Sequence, residues 1–175
     1  MEPVRQPPRP YDPDWPAQFD AARRVLWDIW GDCAREIHHI GSTAIPGIYA
    51  KPVIDILIEV TRAEALDQRT DQMICAGFKS KGENGICARR FFTNADDKGV
   101  RTHHIHVFAK GSPNVLRHLA FRDYLRAHAE LAAAYSQLKQ AIVSDWRGVD
   151  DYIARKAPYV EEIERAALNW TRAQS

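Results

Sequence analysis

The sequence predicts an α+β fold: a mixed β-sheet flanked by helices, with a helical C-terminal third, in one domain over residues 1–175. Three observations predict it. Short runs rich in β-formers recur in the first two thirds, at 35–40, 53–60, 86–94 and 101–109. Apolar residues at i, i+4 and i+7 mark helices between and after those runs. Neither an internal repeat nor a flexible linker divides the chain, and 175 residues that are 45% hydrophobic and 27% charged suffice for one real core.

Each element has a local reason. Trp15, Phe19, Ala22, Leu26 and Ile29 form one buried stripe of a first helix; Asp12 or Asp14 caps its start and Gly31 suits its end. The runs at 35–40 and 53–60 flank a Gly-Ser-Thr loop. Thr61 and Glu64 have capping-box spacing, so a helix is expected over 62–75, with Leu66, Thr70, Met73 and Ile74 inward and Gly77 ending it. The runs at 86–94 and 101–109 enclose a hairpin turn from Ala95 to Gly99. Ser112 and Pro113 start a helix that carries Leu116, Leu119, Ala120 and Tyr124. Leu131, Tyr135, Leu138, Ile142 and Trp146 mark another. Tyr152, Lys156, Tyr159, Ile163, Ala167 and Trp170 mark a last one, which Pro158 is expected to kink or split.

Composition narrows the function. A formal net charge of +1 and no charged run argue against nucleic acid or a membrane surface as the partner. No apolar stretch approaches the ~20 residues that span a bilayer. Pro3, Pro7, Pro8 and Pro10 fall where a signal peptide needs an apolar core, so residues 1–10 read as a loosely ordered lead-in. Cys33, Cys75 and Cys87 form no CxxC pair and read as reduced thiols of a cytoplasmic protein.

The chemistry concentrates between His39 and Asp55. Gly41, Ser42 and Thr43 follow a β run, where a small-residue turn lets a phosphate approach backbone N–H groups. Asp55 opens the next β run, where a carboxylate can hold a divalent metal. An isolated Gly-Ser-Thr is ordinarily just a turn, and a lone Asp beside Lys51 an ion pair. With Pro46, Gly47, Lys51 and Pro52 behind it, the loop-to-carboxylate spacing is that of the nucleotidyltransferase signature.

Seven blocks in order extend the likeness: His39 to Thr43, Pro46-Gly47, Lys51 to Ile56, Gly82 to Gly85, Arg89 to Phe92, Thr102 to Val107 and Phe121 to His128. They closely resemble the GrpB family of the nucleotidyltransferase superfamily, over nearly the whole chain. The resemblance implies a nucleotidyltransferase-like sheet with Gly-Ser and an acidic strand lining a nucleotide site. Relatives fused to dephospho-coenzyme A kinases point to a nucleotide or coenzyme as the small-molecule partner.

That superfamily holds two Mg²⁺ ions on two carboxylates two residues apart, plus a third from a neighbouring strand. Here position 57 is leucine, and Glu59 on the same face lies roughly 13 Å from Asp55 at strand rise. His104 and His106 share one strand face and are the expected replacements. Asp55, His104 and His106 form a candidate catalytic and metal group, for Mg, Mn or Zn. Gly41, Ser42, Thr43, Lys51, Arg90 and Arg122 are the candidate phosphate contacts, with Glu83 a further oxygen ligand. Three functions follow: a nucleotidyltransferase-type transferase, an inactive binding or regulatory module, or a metal-dependent phosphohydrolase. A histidine-triad hydrolase is disfavoured because its third alternate position is Phe108.

Overall fold

Side-chain alternation along the central strands sorts the chain into two faces. Helices cover both in the computed structural model, which describes residues 6–174. Strands β1 (Ala34–Ile40), β2 (Ile54–Val60), β3 (Lys79–Ser80), β4 (Arg90–Ala95) and β5 (Arg101–Ala109) form one sheet in the order β1-β2-β5-β4-β3. β2 and β5 run parallel and the other neighbours antiparallel, so the sheet is mixed as expected. β2 is covered on both faces, which is why it reads as near-continuous Ile, Leu and Val.

Helices α1 (Trp15–Trp30) and α2 (Thr70–Cys75) belong to one face. There Trp15, Leu26, Trp30 and Met73 join Ile54, Ile56, Ile58, Val60, Ile105 and Val107 in the largest apolar cluster. Helices α3 (Pro113–Ala127), α4 (Ala129–Ser144) and α5 (Val149–Arg172) pack on one another at the opposite face. Ile45, Ile48, Leu125, Ala132, Tyr135 and Ile163 join these helices to the loop after β1. Ile40, Leu57, Phe108 and Val115 seal them to the sheet.

Four expectations change. The helix over 62–75 shrinks to a 3₁₀ turn (Ala63–Ala65) and α2, and Ile74 points outward at 51% exposure. Asp67 is tied to Arg90 and Arg69 to Asp32, and these tertiary pairs hold the chain in turns where local propensity favoured helix. The strand expected from 86 begins at Arg90, because Asn84 (φ 45°) and Ala88 (φ 59°) bend the preceding residues into a loop. α5 runs unbroken through Pro158: that residue and Ala154 are exposed, so the carbonyl left without an N–H faces water. Residues 1–5 of the lead-in lie outside the described residues, but Arg9 bridges Ala50 and Pro8 is buried, so its remainder is anchored. Cys33 is buried and Cys75 and Cys87 are exposed, all three free. Among the described residues no helix is long and apolar enough to cross a membrane.

Candidate functional site

Parallel register places Asp55 beside His104 and Leu57 beside His106. Alternation turns these four toward α3–α5 and sends Ile54, Ile56 and Ile105 to the α1 face. His104 Nδ1–H donates to Asp55 Oδ1 at 2.9 Å, and His106 Nε2 lies 3.8 Å from the same oxygen. Arg89 Nη1 is 3.4 Å from His106 Nδ1. A guanidinium only donates, so Nδ1 accepts and Nε2 carries the hydrogen toward Asp55. Burial pushes the Asp55 pKa up, but the hydrogen bonds from His104 and His106 outweigh it and hold the carboxyl well below its usual range. Burial pushes His106 down against the pull of Asp55.

The turn after β1 fits against this carboxylate. Gly41 sits at φ 69° and ψ −170°, and a Cβ there would lie 2.6 Å from Asp55 Oδ2. Glycine alone permits that approach. Thr43 is 1% exposed; its Oγ1 contacts His39 Nε2 at 2.9 Å and donates to the Val53 carbonyl at 3.5 Å. It therefore stitches the loop to β2. His39 stacks on Phe19 toward α1, and burial pushes its pKa down to about 4.

Between the sheet and α3–α5 lies a cleft of about 550 Å³ whose floor includes Ser42, Asp55, His104 and His106. Lys51, Arg89, Arg117 and Lys156 line it from four different elements or loops. The loop before β4 grips Arg89: Nε donates to the Glu83 carbonyl at 3.1 Å and Nη2 to the Asn84 carbonyl at 2.7 Å. Arg117 pairs with Glu164 across α3 and α5. His118 lies 5.3 Å from the His106 ring, and burial pushes its pKa down to about 3. Tyr135, pushed up to about 12 by burial, meets Lys156 Nζ at 3.5 Å. Behind the wall, wholly buried Lys139 places Nζ 3.0 Å from Ser42 Oγ. A smaller cavity of about 190 Å³ adjoins the cleft and shares Lys51, Val53, His104 and Ile153 with it.

Of the residues singled out in the sequence, Gly41, Ser42, Thr43, Lys51, Asp55, His104 and His106 converge on this cleft. Arg90 and Arg122 do not. Arg90 pairs with Asp67 and Glu83, and Arg122 pairs with Asp123 and donates to the His39 carbonyl at 3.0 Å. Arg89, whose chain neighbour Arg90 was the candidate, lines the cleft instead. Glu83 stays exposed and uses Oε1 to accept from the Ala88 N–H. Sequence reasoning missed Arg117, His118, Tyr135 and Lys139. For Lys139 a signal exists: with Tyr135 and Ile142 it completes the apolar stripe of α4, where a cation must be buried.

The two-ion arrangement of nucleotidyl transfer does not fit these residues. Leu57, at 0% exposure, fills the second carboxylate position with packed hydrocarbon. Among the described residues no group of three or more His, Cys, Asp or Glu is disposed to hold a metal ion.

Residues 9–166 match the family model described as GrpB protein. The chain belongs to the GrpB family. It is 41% identical to UPF0157 protein YqkA of Bacillus subtilis over 94% of its own length, but spans only 48% of YqkA. A dephospho-CoA kinase of Mycolicibacterium paratuberculosis is 29% identical over 92% of the chain, which spans 46% of that protein. The crystal structure of GrpB from Enterococcus faecalis superposes with a TM-score of 0.86 at 34% identity, covering 94% of this chain and 98% of that one. Cid1 poly(U) polymerase, solved with Mg 3′-dATP bound, gives a TM-score of 0.54 at 16% identity, over 77% of this chain and 43% of that one. That last likeness is one of fold: the GrpB sheet and its helices follow the nucleotidyltransferase pattern.

Proposed function

We propose that this GrpB chain binds the phosphate groups of a nucleotide or coenzyme in the cleft over Asp55, with transfer of a nucleotidyl or phosphoryl group as its chemistry. One observation carries the reading: Lys51, Arg89 and Lys156 converge with the Ser42 turn on about 550 Å³, a volume typical of small-ligand sites. The acids there are engaged, Asp55 by two histidines and Glu164 by Arg117, so an anionic ligand meets net positive walls. His104, held through Nδ1–H by Asp55, keeps Nε2 as a proton acceptor and borders both the cleft and the smaller cavity. An acceptor hydroxyl in the smaller cavity would give its proton to that nitrogen. The names dephospho-CoA kinase and Cid1 poly(U) polymerase, borne by relatives or fold neighbours, agree with a phosphate-bearing ligand.

A second reading, a binding module without catalysis, rests on Leu57 in place of a metal-holding carboxylate. Titration calorimetry with ATP, GTP, CTP and coenzyme A, each with and without Mg²⁺, Mn²⁺ or Zn²⁺, tests both. The expected result is saturable binding of at least one ligand, weakened about tenfold or more (~1.4 kcal/mol) by Lys156→Ala and unchanged by Arg90→Ala. Heat absent from every combination refutes the phosphate reading. Turnover lost in Asp55→Asn favours the transferase; binding without turnover favours the module.

A further inference from the structure

Lys139 is the most deeply buried cation among the described residues, at 0% exposure in the middle of α4. Its Nζ reaches Ser42 Oγ at 3.0 Å and lies 4.0 Å from the centroid of the Tyr135 ring. No carboxylate ion pair engages it among the described residues, and the charged group that acts on it is another amine, Lys156. An ammonium enclosed without a counter-ion sheds its proton more readily than one in water, and burial and then Lys156 push Lys139 well below the ordinary lysine range. A neutral amine has a lone pair. Among the described residues, the hydroxyl of Ser42 lies within hydrogen-bond reach of that lone pair.

The two residues differ in access. Ser42 is half-buried and borders the cleft, whereas Lys139 does not line it. The amine thus sits behind the hydroxyl, sealed from solvent, with the hydroxyl between it and any ligand. Ser42 opens a 3₁₀ turn directly after Gly41, which fixes its backbone against β2. A serine oxygen made nucleophilic by a buried neutral lysine is an established way to activate an otherwise weak nucleophile.

We propose that Ser42 is a nucleophile and Lys139 its general base, and that together they form a transient phosphoester with a phosphoanhydride bound in the cleft. The choice of electrophile rests on the phosphate reading above. Ser42 Oγ attacks phosphorus while its proton passes to Lys139 Nζ. The Oγ–P bond forms, and the bond from phosphorus to the bridging oxygen breaks, the leaving phosphate keeping the electron pair. An acceptor hydroxyl or water then attacks the same phosphorus as its proton passes to His104 Nε2, and Ser42 leaves with the proton returned from Nζ. Lys51, Arg89 and Lys156 face the charge that develops on the phosphoryl oxygens. Both steps balance without an oxidant or a metal.

A fluorophosphonate probe reads this directly, because a nucleophilic serine displaces its fluoride. In the intact full-length protein, peptide mass spectrometry should find the adduct on Ser42 at least a hundredfold above exposed Ser80 of the same molecule. Lys139→Met and Lys139→Arg should both remove it, since arginine keeps the charge and the donor but takes up no proton. Labelling that survives Lys139→Arg, or a Ser42 no more reactive than Ser80, overturns the proposal. Should either variant fail to fold, the wild type still decides. A rate that levels off once the amine is neutral supports the dyad, and one that climbs with hydroxide throughout overturns it. ATP binding without Ser42 labelling sinks this dyad alone; labelling without any nucleotide binding sinks the phosphate reading alone.

Discussion

Ile54, Ile56 and Ile58 on one side of β2 and Asp55 and Leu57 on the other are chain neighbours, yet they meet opposite surroundings. The α1 face is hydrocarbon closed over by Trp15, Leu26 and Trp30. The α3–α5 face is sealed by hydrocarbon only at the Leu57–Phe108 end; around Asp55 it leaves a cleft lined by cations, histidines and a tyrosine. The difference teaches that one strand can hold both duties only if the first is done without help from the second. The sealed face must stabilise a sheet whose other side keeps Lys139 out of water, a cost that close packing offsets.

The largest expected effect tests that division. Ile56→Ala empties a position at 0% exposure within the sealed cluster and should cost about 2–5 kcal/mol in urea unfolding. Ligand affinity of the protein that remains folded should be unchanged; a change in affinity would mean the two faces are not separate. Next comes Gly41→Ala, which forces a Cβ against Asp55 Oδ2 at a φ of 69°. A penalty of about 1–3 kcal/mol is expected, with loss of nucleotide binding, read by melting and calorimetry. Binding at wild-type strength would remove Gly41 from the site.

The third effect is one of pH, and it is confined to acid. His39 is held at about 4 against an ordinary 6.5, because burial disfavours its charged ring. The unfolded chain therefore binds more protons between those two values. The contribution of His39 is complete above 6.5 and is lost as pH falls toward 4. Unfolding midpoints measured across that window should drop with acid in the wild type and drop less in His39→Gln. Equal slopes would exclude His39 as a source of acid sensitivity.

Much of this architecture is legible in the residues, for identifiable reasons. The β2 and β5 runs announce themselves through β-branched density, and alternation alone puts His104 and His106 on one side. That Asp55 lies opposite His104 needed the parallel register, which no local pattern encodes. Helix-borne groups were the harder part. Arg117 and His118 look like solvated helix surface until tertiary packing folds α3 over the sheet. The exchange of Arg90 for Arg89 has a similar origin: the loop from Glu83 to Ala88 turns the guanidinium inward through two backbone carbonyls, a geometry set by positive φ at Asn84 and Ala88.

Ser42 and Lys139 stand 97 positions apart in the chain, and Asp55 and His104 stand 49 apart. Closing such long loops is slow and becomes favourable only when extensive burial follows. A half-folded molecule can therefore hold strands and helices in place and still lack both of these contacts. The cleft and its cross-chain contacts thus arrive together with the finished shape.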